Sequence, residues 1–110
     1  MPVLVGEIIG DLLVEDASHE LLKSVVKIKN PNGFHMRPKA AFVEAASRFA
    51  SEVKLIWEGQ VFNGKSMFEL MLVAAGEDSE VTLEVFGSDS HLALQELEKV
   101  LAEDDVSILD

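Results

Sequence analysis

A histidine and an arginine stand two residues apart where a strand pattern gives way to a helical one. The stretch reads Asn30-Pro31-Asn32-Gly33-Phe34-His35-Met36-Arg37-Pro38-Lys39. The start of a helix offers unpaired N–H groups and a positive dipole end, so it favours an anion. Histidine can act as a nucleophile near neutral pH, and arginine can hold phosphate oxygens in a fixed fork. Together these residues suit transient phosphorylation of the His35 imidazole.

The three histidines differ in the residues that surround them. A histidine in a turn, taken alone, is more often a helix N-cap or a solvated loop residue, and Arg37 with the Gly33 turn favours the phosphoryl role for His35. His19 and His91 have no phosphate-binding neighbour at useful spacing. No second carboxylate, cysteine or histidine stands at ligand spacing near His35, so the sequence predicts no metal site and no free-standing hydrolase.

Composition indicates one small acidic domain. The 110 residues are 48% hydrophobic and 26% charged, which is enough to bury a core without staples. Because cysteine is absent, a disulfide framework and a thiolate site are excluded, in agreement with a reducing cytosol. The formal charge of −11 disfavours nucleic acid, although basic residues cluster around the candidate site. The first residues predict neither a secretory signal nor a membrane span.

Hydrophobic periodicity predicts the element order. Val26 and Ile28 alternate with lysines in a first strand from Ser24, and a helix follows over 36–50. A hairpin is expected around Glu58-Gly59, and a short helix over 67–73 has Ser66 as N-cap and Glu69 three residues later. A strand containing residues 81–85 precedes a last helix capped by Ser88 or Asp89. The expected buried side of that helix is Leu92, Leu94, Leu97, Val100 and Leu101.

This order predicts an α+β open-faced sandwich, in which three helices cover one face of a four-stranded, largely antiparallel sheet. Residues 24–110 are expected to form the domain, and residues 1–23 an N-terminal extension. Within the extension, residues 3–5 and 8–9 suggest short strands, and Asp16 or Ser18 a helical turn through Leu21-Leu22. Packing onto its own domain is the preferred role of the extension, with a dimer contact or a partner-binding segment as alternatives.

Residues 24 to about 104 resemble HPr, the histidine phosphocarrier family of the phosphoenolpyruvate-dependent sugar phosphotransferase system. The resemblance rests on Gly33-Phe34-His35-Met36-Arg37-Pro38 and on Asn63-Gly64-Lys65-Ser66-Met67-Phe68 thirty residues later. It implies that His35 accepts a phosphoryl group from enzyme I and passes it to a sugar-specific A component or a regulatory target. It further implies a cytoplasmic, monomeric carrier that is not itself an enzyme and has no cofactor. The alternative is a regulatory interaction module controlled by Ser66 phosphorylation or by the extension.

The resemblance also assigns supporting roles. Arg37 would hold the phosphate, and Ser66 would be a site for a dedicated kinase as well as a helix cap. Residues expected to support the phosphate are Met36, Pro38 and Lys39, and those expected to dock partners are Phe34, Met67, Phe68 and Met71. Met67 and Phe68 are expected to be at least partly exposed and Leu70 to point inward. Lys39 replaces a small alanine of the family, and Glu69 a lysine of some relatives, so the identity of the partners is open.

Overall fold

The structure, a computed structural model, describes residues 20–103. Strands β1 (Glu20–Lys27), β2 (Glu52–Trp57), β3 (Gln60–Asn63) and β4 (Glu80–Gly87) form one sheet. Helices α1 (Met36–Ser47), α2 (Met67–Leu70) and α3 (Ser90–Ala102) lie between and after them. None of these helices is long and apolar enough to cross a membrane.

The sheet has the order β1-β4-β2-β3, and each neighbouring pair is antiparallel. Side chains alternate along its strands: Val81, Leu83 and Val85 of β4 are buried, while Thr82 and Glu84 between them are partly exposed. Such alternation belongs to a sheet with one covered and one open face. The predicted α+β open-faced sandwich is confirmed.

The first strand begins earlier than the sequence predicted. It starts at Glu20, and Leu21 and Leu22 pair with Phe86 and Val85 of β4. The predicted helical turn through Leu21-Leu22 is therefore wrong, because eight consecutive pairings with β4 override a local capping signal. The predicted strands at 3–5 and 8–9, and His19, lie outside the described residues, and the division into extension and domain remains a prediction.

The hairpin between β2 and β3 has the predicted turn. Trp57 pairs with Gln60, which leaves Glu58 and Gly59 as a two-residue loop with φ values of 49° and 77°. Two positive φ angles define the type I′ turn, whose twist matches that of the flanking strands. The hairpin prediction is confirmed.

Helices α1 and α2 are shorter than predicted, and α3 buries a different face from the predicted one. α1 ends at Ser47 and α2 at Leu70. In α3 the buried side chains recur at helical spacing as Ser90, Ala93, Leu97 and Leu101. Leu92 falls off this stripe and is 63% exposed, so its predicted burial is wrong.

Asp89 joins the start of α3 to the start of β2. It is the N-cap residue of α3, as predicted, but its side chain does not bond its own helix. Its carboxylate accepts hydrogen bonds from Ala50 N at 2.8 Å, Ser51 N at 2.9 Å and Ser51 Oγ at 2.5 Å. These bonds, the Ser51 hydroxyl first, lower the pKa of Asp89.

The Asp89 junction predicts a loss of stability in acid. A carboxyl whose pKa is depressed by folding stabilises the protein above its unfolded pKa, near 3.8. That contribution is lost as the pH falls below this value towards the folded pKa. We therefore expect Asp89→Asn to lower the melting temperature at neutral pH and the difference from the wild type to shrink below about pH 4. Thermal melts followed by circular dichroism check this; a difference that does not change with pH would contradict it.

Candidate functional site

The loop before α1 is a tight turn closed by Asn30. The Asn30 carbonyl accepts from Gly33 N at 2.8 Å, and its side-chain Oδ1 accepts from Asn32 N at 2.9 Å. Gly33 has a φ of 74°, in the left-handed region that favours glycine. The turn reverses the chain after β1 and delivers the next residues to the start of α1.

This loop packs on the segment before β4. Phe34 N donates to Ala75 O at 2.9 Å. At Gly33 the approach is closer still, since a Cβ there would lie 2.8 Å from Ala75 O and 2.9 Å from Gly76 Cα. The backbone that precedes His35 is therefore held against Ala75 and Gly76.

His35 is the N-cap residue of α1. Its backbone is extended, with φ −90° and ψ −169°, and its carbonyl accepts the first helical hydrogen bond from Lys39 N at 3.0 Å. The imidazole does not cap the helix, so the alternative of an ordinary capping histidine does not hold. The residue is only partly buried, and Nε2 is the enclosed nitrogen. The ring is thus held at the edge of the domain with Nε2 turned inward.

The first turn of α1 has N–H groups to offer an anion. The side chain of the N-cap residue does not cap the helix, and no acidic residue lies in its first turn. Pro38 has no N–H, so the donors at this end belong to Met36 and Arg37, whose amides precede the first helical bond. Arg37 is exposed. The positive helix end, two amides and a guanidinium therefore lie next to His35.

Lys39 is buried, unlike most surface lysines. It is only 7% exposed, and its Nζ lies 5.7 Å from the centroid of the Phe34 ring. Helical side chains lean towards the N-terminus, which carries Lys39 back under the loop. Burial lowers the pKa of the Lys39 ammonium. Its predicted support of the phosphate would have to act from beneath the loop.

Phe34 is a core residue. It is 3% exposed, and its ring packs edge-to-face on Phe42 of α1 with centroids 6.1 Å apart. The expectation that its side chain docks partners is therefore corrected: the hydrogen bond from Phe34 N to Ala75 directs the ring inward. Its contribution is to anchor the residue that precedes His35.

An apolar surface surrounds the start of α1 and all of α2, which pack against each other. As predicted, Met67 is partly exposed, Phe68 is 77% exposed and Leu70 is buried. Further exposed side chains are Met36 at 54%, Met71 at 53% and Leu72 at 64%. We call Met36, Met67, Phe68, Met71 and Leu72 the docking surface, after the role that we propose for them. Leu72 was missed, although its place four residues after Phe68 is the usual signal for a shared helix face.

Ser66 caps α2 as predicted. Its Oγ accepts from Glu69 N at 3.1 Å. Glu69 does not complete a reciprocal capping box: its carboxylate accepts from Asn63 N at 2.7 Å, and Ser66 N donates to Asn63 O at 3.1 Å. Lys65, which sequence reasoning passed over, donates from Nζ to the carbonyl of Phe49 at 2.7 Å. The second motif thus fastens α2 to β3 and to the chain after α1.

Residues 20–103 contain no group of three histidine, cysteine or acidic side chains arranged to hold a metal ion. The pair His35 and Arg37 at the open end of α1 is instead the arrangement that suits a phosphoryl group.

Comparison with known proteins decides the family. Residues 22–103 match the PTS-HPr family, described as "PTS HPr component phosphorylation site". The chain belongs to the HPr family. It is 35% identical over 83 residues to the phosphocarrier protein HPr of Buchnera aphidicola from Acyrthosiphon pisum, a match covering 76% of this chain and 98% of that protein.

Solved structures agree with the HPr assignment. The crystal structure of HPr from Bacillus anthracis superposes with a TM-score of 0.71 at 32% identity, covering 74% of this chain and 96% of the other. Crh, the catabolite repression protein of Bacillus subtilis, superposes with a TM-score of 0.59 at 38% identity, covering 69% and 87%. The match to the HPr family takes in His35, Arg37 and Ser66.

Proposed function

We propose that this chain is a phosphocarrier in which His35 accepts a phosphoryl group from enzyme I charged by phosphoenolpyruvate. It then passes the group to a sugar-specific A component or to a regulatory target. One observation carries the proposal: an imidazole that does not cap its helix lies at the open N-terminus of α1, two residues from an exposed arginine. Membership of the HPr family supports the same chemistry.

The chemistry follows from the geometry of His35. Nε2 is enclosed, and by its membership of the HPr family the chain would use Nδ1 to attack phosphorus while the bond to the donor breaks. The transferred group brings a charge of roughly −2. The amides of Met36 and Arg37 would donate to its oxygens, and the Arg37 guanidinium would balance its charge. The resulting P–N bond is reactive, so a partner that presents its own nucleophile can remove the group.

Partner proteins would bind the docking surface. Enzyme I and an A component must each bring a reactive group to His35, so both would cover the same region in turn. Methionine side chains adapt to different partners, and Met36, Met67 and Met71 provide them beside the rigid anchor Phe68. The carrier would act in the cytoplasm as a monomer without a cofactor.

Arg37 provides the first test of the phosphate contacts. We expect Arg37→Ala to slow transfer from enzyme I by about 10- to 100-fold, because charge-assisted hydrogen bonds contribute about 1.5–3 kcal/mol each. Arg37→Lys should recover only part of the rate, since a lysine cannot form the bidentate fork. Single-turnover transfer measured by intact mass checks both variants. Arg48→Ala is the matched control, because Arg48 is also exposed but lies at the other end of α1; equal losses at both positions would contradict the specific role.

Regulation through Ser66 is a second candidate function. Ser66 immediately precedes Met67 and Phe68 of the docking surface and is partly exposed. A phosphate placed there by a dedicated kinase would put charge beside apolar side chains that partners must cover, and would weaken docking. The cap itself would survive, because a negative group at a helix N-terminus can accept the same N–H bonds.

Two substitutions distinguish the effect of losing the helix cap from the effect of a negative charge at position 66. Ser66→Ala should lower the free energy of unfolding by about 1 kcal/mol, because the bond from Glu69 N is lost, with little effect on transfer. Ser66→Asp should keep the stability, since aspartate caps well, yet slow transfer severalfold. Denaturant unfolding and transfer kinetics are measured on both. If Ser66→Asp transfers as fast as the wild type, the regulatory proposal fails.

A further inference from the structure

Lys39 is a buried cation at the end of α1 that would bind an anion. It is 7% exposed, whereas every other lysine and arginine within residues 20–103 is exposed or partly exposed. Its amide donates to the His35 carbonyl at 3.0 Å, so its side chain begins one helical turn from the candidate phosphorylation site. Because helical side chains lean towards the N-terminus, its stem runs back towards His35.

The surroundings of the Lys39 ammonium do not balance its charge. Within residues 20–103 no acidic side chain forms an ion pair with it, and no acidic residue lies in the first turn of α1. The positive end of the helix dipole repels a cation here, and burial lowers the pKa of the ammonium. The face of the Phe34 ring attracts the ammonium, with Nζ 5.7 Å from the ring centroid, but the ring carries no net charge.

A phosphoryl group on His35 would supply the negative charge that Lys39 lacks. Such a group brings a charge of roughly −2 at neutral pH. Phe34 directly precedes His35, and Lys39 N bonds the His35 carbonyl, so the ammonium and the phosphorylated residue belong to one loop. Charges at a buried site attract each other more strongly than in water, because little solvent lies between them to screen the field.

We propose, on the basis of the function proposed above, that the Lys39 ammonium attracts the phosphoryl group on His35 from beneath the loop and shifts the equilibrium with enzyme I towards the phosphorylated chain. The ammonium keeps its protons and forms no covalent bond in this step. The bond from the His35 nitrogen to phosphorus forms as the bond between phosphorus and the donor breaks. Arg37 would hold the phosphate oxygens directly, whereas Lys39 acts through its charge alone.

Lys39→Met tests the charge, because methionine keeps an unbranched apolar side chain but has no ammonium. Before phosphorylation the variant should melt at the temperature of the wild type or above it, since it loses an unbalanced buried charge. Its equilibrium constant for phosphorylation should fall about tenfold, the low end of the effect of an opposite charge near a buried group. The phosphorylated fraction is read by intact mass at fixed ratios of phosphoenolpyruvate to pyruvate, with enzyme I as catalyst. An unchanged equilibrium constant would overturn the role of Lys39.

Two further variants distinguish a buried charge from packing and from surface charge. Lys39→Arg keeps the charge and should recover most of the equilibrium constant; a loss as large as that of Lys39→Met would overturn the proposal. Lys29→Met removes an exposed cation that precedes the Asn30 turn. At about 0.5 M salt, where exposed charges are screened and buried ones much less so, Lys29→Met should match the wild type while the deficit of Lys39→Met persists. Disappearance of that deficit in salt would also overturn the proposal.

The wild-type measurement distinguishes a failure of the proposed function from a failure of the role of Lys39. A wild-type chain that takes up no phosphoryl group would contradict the phosphocarrier function, and the role of Lys39 with it. A wild-type chain that is phosphorylated on His35, with the same equilibrium constant as Lys39→Met, would leave the phosphocarrier function in place and overturn only the role of Lys39.

Discussion

We expect His35→Ala to remove phosphoryl acceptance and to leave the fold in place. The side chain is partly exposed and does not cap α1, so we expect the fold to tolerate alanine at this position. The alanine variant lacks the only nucleophile that we assign at the start of α1, and neither Arg37 nor the helix amides can form a covalent bond to phosphorus. Incubation with enzyme I and phosphoenolpyruvate, read by intact mass, should show no mass gain, and circular dichroism should show an unchanged melt.

His91→Ala is the matched control for this prediction. His91 is exposed on α3 and lies near neither the loop nor the docking surface residues in sequence. Its replacement should leave phosphoryl acceptance at the level of the wild type. Acceptance by His35→Ala, or its loss in His91→Ala, would contradict the assignment of the site.

We expect Gly33→Ala to lower both the stability and the rate of phosphoryl transfer. Its φ of 74° is strained for alanine, and the new Cβ would meet the backbone at Ala75 O and Gly76 Cα within 3 Å. Left-handed strain costs about 1–2 kcal/mol and overpacking about 1–3 kcal/mol, so we expect a loss of about 2–5 kcal/mol in the free energy of unfolding. Because the loop must shift away from Ala75, His35 moves as well, and transfer should slow under conditions where the variant is fully folded.

Gly59→Ala separates strain from crowding. Gly59 has nearly the same φ, 77°, but no atom lies within 4 Å of the position that its Cβ would take. It should lose only the strain, about 1–2 kcal/mol, and keep normal transfer. Denaturant unfolding and single-turnover kinetics are measured on both variants. Equal losses of stability, or unimpaired transfer by Gly33→Ala, would show that the loop is not held in place by its contact with Ala75.

The features that sequence reasoning predicted correctly depend on neighbouring residues. The type I′ turn needs only Glu58 and Gly59 between alternating strands, and the α2 cap needs only Ser66 three residues before Glu69. The same holds for the placement of His35 and Arg37 at a helix start, because the Gly33 turn and Pro38 mark that start locally. Such features can be predicted from neighbouring residues in the sequence, without knowing which distant residues pack against them.

The errors concern residues whose environment comes from distant parts of the chain. Leu21 and Leu22 are extended because β4 pairs with them, and Leu92 is exposed because the packing of Ala93 and Leu97 sets the rotation of α3. The burial of Phe34 and Lys39 also depends on packing: Phe34 bonds the segment at Ala75, and the Lys39 Nζ lies against the Phe34 ring. From the sequence alone, a lysine beside a phosphate-binding motif is expected to be an exposed cation. Its burial becomes evident only from the packing of the folded chain.

The most direct test of the central claim is to locate the phosphoryl group. The wild-type chain, ¹⁵N-labelled in its histidines, is phosphorylated with enzyme I and phosphoenolpyruvate and observed by NMR of the imidazole nitrogens. We expect one acid-labile group per chain, a large shift of the His35 Nδ1 signal, and unchanged signals from His19 and His91. Phosphorylation at another histidine, or an acid-stable product on a hydroxyl group, would contradict the account.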